Sequence, residues 1–208
     1  MEGGSEVKWI KHYSSSHTIL LVGEGDFSFS TCLARTFGSA HNMVATSLDS
    51  IMLGFYRNAM DNIDELKSRG CTVMHGIDAK TMAQDPTLAQ CRFDRIVFNF
   101  PYAHGVEKFC ARSFQLSEHR NLVRLFFENA KKLLAFNGEI HVTHKTNSFH
   151  CEWDVQGLAN LTGLRLVEEV DFNLSDYPGY SNKLGVGGVK MDKSFECQPS
   201  STYKFRHA

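Results

Sequence analysis

Four short stretches carry residues able to do chemistry, and each stands at the end of an apolar run. The first is Gly23-Glu24-Gly25-Asp26-Phe27-Ser28, directly after the run 18–22. Two glycines one residue apart let a backbone turn sharply and approach a ligand with no Cβ in the way. A helix opening at about Ser28 adds unpaired N–H groups at the same point. The same pair also serves as an ordinary tight turn. Asp49 and Asp78 each stand beyond a further apolar run. Asp49 lies at the separation from the glycines at which an acid commonly accepts two ribose hydroxyls, and Asp78 can accept from an adenine amino group. Both positions equally suit a helix cap or a turn. The fourth stretch is Asn99-Phe100-Pro101-Tyr102, with His104 close behind. There an amide, an aromatic ring and an imidazole stand within six residues of one another.

His141, His144 and Lys145 form a further polar group. Along a strand, positions 141 and 144 point to opposite faces, which disfavours a two-histidine metal clamp. His150 and Cys151 add ligand types without a ligand spacing, so no metal is expected. His144, near the rim of a cleft, is a candidate proton acceptor.

These stretches need a scaffold that gathers strand ends. The runs 18–22, 43–48, 71–75, 93–100, 139–144, 164–172 and 202–205 read as strands. Between them, Phe29, Leu33 and Phe37 repeat along a helix stopped by Gly38. From Leu53, the positions Tyr56, Met60, Ile63 and Leu66 make a helical face closed by Gly70. After a looser segment, 102–118, a longer amphipathic helix carries Leu122, Phe126, Ala130 and Leu134 in one row, with Val123 and Phe127 beside it. Asn137-Gly138 ends it, and 153–161 forms another helix. This alternation predicts an α/β fold with a parallel sheet and ligands beyond the carboxyl ends of its strands. The GVGG at 185–188 reads as a flexible loop.

The chain has 208 residues, 42% hydrophobic and 22% charged, which suits one globular domain over 16–208 behind an extension over 1–15. No apolar stretch is long enough to span a membrane. The N-terminus lacks the pattern of a secretory signal, so residence in the nucleus, nucleolus or cytoplasm is expected, with reduced thiols at the six cysteines. A net charge near −1 exerts no global pull on nucleic acid. An RNA partner would have to be held by a local patch, and DNA is not expected.

A dinucleotide fingerprint would place a third glycine at position 28, where this chain has Ser28. Asn99-Phe100-Pro101-Tyr102 resembles the (Asn/Asp/Ser)-Pro-Pro-(Tyr/Phe) motif of methyltransferases acting on planar nitrogens, with Phe100 in place of the first proline. With ILLVGEGDFSFS (19–30), ATSLDS (45–50), FDRIVFNFPY (93–102), GEIHVTHKT (138–146) and YPGYSNKLG (177–185), the chain resembles the eukaryotic 25S rRNA (uridine-N3)-methyltransferase-like domain family. The resemblance implies a Rossmann-like class I methyltransferase domain. Its mostly parallel seven-stranded sheet would end in a C-terminal antiparallel hairpin. It implies S-adenosylmethionine as cofactor, with Gly23, Gly25, Asp26 and Asp49 as its contacts, and Glu24, Phe27, Ser28 and Asp78 complete the candidate cofactor-binding set. The implied reaction is methyl transfer to a ring nitrogen of RNA, uridine N3 of large-subunit rRNA. Asn99, Pro101 and Tyr102 would hold the base, and His104 and His144 are candidate proton acceptors. Tyr102 stands where the family usually has histidine, and a histidine recurs at His104. A small-molecule methyl- or aminopropyl-type transferase and a silent S-adenosylmethionine-binding module remain as alternatives.

Overall fold

The apolar runs pair into one twisted sheet with helices on both faces. The structure, a computed structural model, describes residues 6–49, 55–106, 109–185 and 190–208. The expected helix start near Leu53 and most of the GVGG loop lie outside the described residues. A small hairpin, β1 (Trp9–Ile10) and β2 (Tyr13–Ser14), comes first. The main elements then follow as β3 (Ile19–Val22), α1 (Ser28–Phe37), β4 (Met43–Ser47), α2 (Ala59–Ser68), β5 (Thr72–His75) and β6 (Phe93–Asn99). The second half holds α3 (Arg112–Leu133), β7 (Leu134–Lys145), α4 (Ser148–Cys151), α5 (Val155–Leu161), β8 (Leu164–Asp171) and β9 (Ser200–His207).

The large sheet has the order β5-β4-β3-β6-β7-β9-β8. Strands β3 to β7 pair in parallel, and β9 runs antiparallel between β7 and β8. The chain therefore leaves β3 toward one edge and returns through β6 toward the other. The order reverses between those two strands, and ligands bind in open α/β sheets at such a point.

Both faces of β3 are buried, which is why its sequence is continuously apolar rather than alternating. Leu20 and Val22 join Ile96, Phe98, Phe126, Phe127 and Phe205 on the face covered by α3 and α5. Ile19 and Leu21 join Phe29, Leu33, Phe37, Ile63 and Leu66 on the face covered by α1 and α2. Gly38 ends α1 in the left-handed conformation, its N–H bonded to the Ala34 carbonyl. The residues first read as an extension supply the hairpin, and Tyr13 of that hairpin is buried with its hydroxyl 3.3 Å from Nδ1 of His141.

Three expectations are corrected. Met60 is 54% exposed, because α2 begins at Ala59 and buries Ala59, Ile63 and Leu66 instead. The long helix starts at Arg112, inside the stretch read as loose, and ends at Leu133. Leu134 is already in β7 opposite Phe93, and the register shifts before Arg95 meets Glu139, so Asn137-Gly138 lies within the strand. Behind the sheet, Glu139 accepts from Arg206 at 2.6 and 3.0 Å and lies 2.9 Å from Nε2 of His141.

Candidate active site

The carboxyl ends of β3, β4 and β6 open onto a cavity of about 210 Å³. Gly23, at its floor, has φ +67, and a Cβ there would sit 2.5 Å from Cε2 of Phe98. Only glycine meets both demands. Gly23→Ala is expected to lower unfolding stability by at least the ~1–2 kcal/mol of a left-handed residue with a Cβ, with a further loss from displacing Phe98. Denaturant unfolding measures it, and an unchanged midpoint would refute the strain assigned to this turn.

Glu24 lines the cavity, and its Oε2 accepts from the Ser30 hydroxyl at 2.8 Å and the Ser30 N–H at 3.2 Å. Burial pushes its carboxyl up to about 7, against those hydrogen bonds. Asp26 is buried, and Oδ1 accepts from the Ser28 hydroxyl at 2.6 Å. Its Oδ2 has no hydrogen bond among the described residues. Phe27 and Ser28 do not line the cavity, which corrects their expected direct role. Phe27 adopts φ +60, is fully buried and packs edge-on to His75 at 5.6 Å. Ser28 instead accepts from the Ser181 N–H at 3.0 Å, tying segment 177–185 to the turn.

Asp49 and Asp78 both border the cavity. Asp49 follows β4, its N–H bonded to the Ser47 hydroxyl at 3.2 Å. Asp78 follows β5, and Oδ1 accepts the Lys80 N–H at 2.8 Å.

Asn99 closes β6 against the same cavity, and neither Oδ1 nor Nδ2, both buried, has a hydrogen-bond partner among the described residues. Phe100 has φ +50 and donates its N–H to the Thr143 carbonyl at 2.8 Å. A proline has neither that φ nor that N–H, so the departure from the two-proline motif is required by the backbone. The likeness to that motif is therefore one of residue types and not of conformation. Pro101 is buried off the cavity, whereas Tyr102 and His104 line it. His144 does not: it is buried, with Nε2 3.1 Å from the His150 carbonyl and its ring 4.4 Å from Trp153. Burial holds its pKa at about 4. It is withdrawn as a proton acceptor.

The sequence reading missed Tyr180, Lys183 and Glu118, which also line the cavity. Nζ of Lys183 lies 2.8 Å from Oδ1 of Asp192 and 3.5 Å from Oδ2 of Asp26. The block 177–185 supported the family resemblance, but an aperiodic connection gives no signal of where its side chains go. In all, five acidic side chains (Glu24, Asp26, Asp49, Asp78, Glu118) face two lysines (Lys80, Lys183) around the cavity. Among the described residues no group of three His, Cys, Asp or Glu is placed to hold a metal, and no helix is long and apolar enough to cross a membrane.

This strand order, with a cleft at the reversal between β3 and β6, is the class I, S-adenosylmethionine-dependent methyltransferase fold. Solved structures share it. NSun6 from Pyrococcus horikoshii, determined with SFG, is 19% identical with TM-score 0.57, covering 93% of this chain and 48% of that one. The N-methyltransferase NodS from Bradyrhizobium japonicum is 14% identical with TM-score 0.54, covering 92% and 86%. The chain belongs to the BMT5-like family, described as "rRNA (uridine-N3-)-methyltransferase BTM5-like", whose model matches residues 20–184. An uncharacterised Arabidopsis thaliana protein is 49% identical over 203 residues, 95% of this chain and 96% of that protein. The heavy metal-associated isoprenylated plant protein 41 of the same plant is 47% identical, over 98% of this chain but 39% of that longer protein. The 25S rRNA (uridine(2634)-N(3))-methyltransferase of Saccharomyces cerevisiae is 22% identical, over 82% of this chain and 67% of that protein.

Proposed function

We propose that this chain transfers a methyl group from S-adenosylmethionine to N3 of a uridine in large-subunit rRNA. The observation that carries the reading is Asn99, a buried amide at the strand-order reversal whose acceptor and donor both lack a partner among the described residues. Uracil presents an N3–H flanked by two carbonyls, and the amide N–H of Asn99 can donate to one of them while leaving the in-plane direction at N3 open to the methyl group. Family membership supports the same substrate.

The chain's groups suit the cofactor as well as the base. Bound S-adenosylmethionine supplies an electrophilic methyl group on a sulfonium cation. The Gly23 turn brings backbone close without a Cβ, Asp49 and Asp78 are acceptors for ribose hydroxyls and an amino group, and the carboxylate excess favours a cation. That excess also repels phosphate, so the base enters the cleft flipped from its strand while the backbone stays outside. Tyr102 supplies a ring for the base to stack on. Asn99 binds a uracil carbonyl and so stabilises the negative charge that develops when N3 loses its proton. His104, exposed on the cavity wall, is the group proposed to take that proton.

Calorimetry with S-adenosylhomocysteine and with NAD tests the cofactor, and nucleoside mass spectrometry of rRNA from cells lacking the protein tests the substrate. The expected results are binding of the first ligand only and loss of N3-methyluridine. Binding of NAD alone sinks the whole reading, whereas unchanged N3-methyluridine sinks the substrate.

A further inference from the structure

The loop carrying Tyr102 and His104 borders the cavity, and the Tyr102 hydroxyl donates to the Val106 carbonyl within it at 3.4 Å. A further hold comes from α3. His119 is fully buried one turn before Leu122, and its Nδ1 accepts the Ala103 N–H at 3.1 Å. Its ring lies 4.4 Å from the Tyr102 ring on one side and stacks on Trp153 at 4.4 Å and 16° on the other. Trp153 is in turn backed by His144 at 4.4 Å, and Arg120 fixes its backbone by donating to the Trp153 carbonyl at 2.9 Å. A continuous column of rings thus runs from the cleft wall into the layer formed by α3 and the start of α5.

Accepting the Ala103 proton at Nδ1 fixes the imidazole tautomer, with its hydrogen on Nε2. That Nε2 is buried without a hydrogen-bond partner among the described residues. Phenylalanine would fill the same space and stack on Trp153 without leaving such a group. The ring's shape therefore does not account for a histidine here, whereas the acceptor for Ala103 does.

We propose that His119 is a positioning residue, which holds the Tyr102–Ala103 turn at the mouth of the cleft by accepting the Ala103 N–H and packing on Tyr102. The role deepens the proposed function, since Tyr102 is the ring on which the base would stack. It also gives His144 a different place from the one its sequence position implied, as the far support of the column. Neither histidine touches the reacting atoms.

The test compares His119→Phe, which keeps the ring and its stacking, with His119→Asn, whose side-chain oxygen can accept from Ala103. In His119→Phe the Ala103 amide should exchange with solvent at least about 10-fold faster by NMR. Turnover on RNA should fall about 10–100-fold, since misplacing a positioning group by about 1 Å has that effect. S-adenosylhomocysteine affinity should stay within about twofold, because the turn at Gly23 is untouched. His119→Asn should recover both exchange protection and turnover to within about threefold of wild type, although its packing on Trp153 is poorer. Unchanged Ala103 exchange in His119→Phe overturns the proposal. So does faster exchange with wild-type turnover, or cofactor affinity falling in step with turnover. If the wild-type protein methylates no RNA, the proposed function fails on that result alone, and Ala103 exchange still decides whether His119 holds the turn.

Discussion

Asn99→Ala is expected to lower turnover about 10²–10³-fold, the loss seen when one preorganised donor to a developing negative charge is removed. The melting temperature should stay unchanged or rise. These two outcomes rarely go together. Truncating an ordinary buried polar residue strands its partners and costs stability. Here Oδ1 and Nδ2 have no partners to strand among the described residues, and the native protein already bears the penalty of burying both atoms. Removing them relieves that penalty, at ~1–3 kcal/mol for each unsatisfied group before any loss from the small void left behind. On the proposed function, stability is given up at this position for turnover. Steady-state kinetics with RNA and a thermal melt measure the two effects. Wild-type turnover, or a melting temperature lowered as much as for a core truncation, would show that the amide is structural.

The architecture was legible because the strong signals were local and repeated. Strand β3 is apolar at every position since both its faces are covered, and the Gly38 stop and the Phe29, Leu33, Phe37 row mark α1 in full. The junction between α3 and β7 was not legible. Nothing between Leu133 and Leu134 signals a stop, and the chain turns extended there because Leu134 finds a backbone partner in Phe93, some forty residues earlier. Asn137-Gly138 carries the usual stop signal but spends it inside a strand. The first turns of α3 escaped for a related reason: Arg112 to Phe114 are exposed, so they carry no apolar period.

The site divides along the same line. Residues at or within a few positions of a strand's carboxyl end (Gly23, Asp49, Asp78, Asn99) reach the cavity, because strand direction brings them there. Residues whose placement depends on which side of a strand faces the cleft were not decidable. The alternation that separates His141 from His144 is real, with His141 against Glu139 and His144 against Trp153, yet neither face opens on the cavity. Lys183 and His119 reach their positions only through tertiary packing. A histidine on an amphipathic helix has no sequence mark that separates a surface residue from one accepting the Ala103 N–H.

Acid is expected to destabilise the protein between pH 6.5 and 4 by about 3–6 kcal/mol, a large part of a typical total of 5–15. Burial holds His119, His141 and His144 at about 4, against 6.5 in the unfolded chain. Above pH 6.5 both states are neutral at these rings and nothing is lost. As the pH falls below 6.5 the unfolded chain takes up protons that the native state refuses, so stability drops until the native pKa is reached. A displacement of this size has a ceiling of about 3 kcal/mol per ring, and relaxation of the native state reduces it. Glu24 acts in the opposite direction. Its pKa is raised from 4.5 to about 7, so the native state gains a proton first and is relatively stabilised over the same window. One carboxyl against three buried rings does not reverse the sign. Urea midpoints at pH 7.5, 6.0 and 5.0 measure the fall, and their slope counts the protons. His144→Phe keeps a ring against Trp153 and should flatten that slope by about one proton. A midpoint that holds constant from pH 7 to 5 would mean these imidazoles titrate freely in the native protein, and the ring column from Tyr102 to His144 would then be open to solvent.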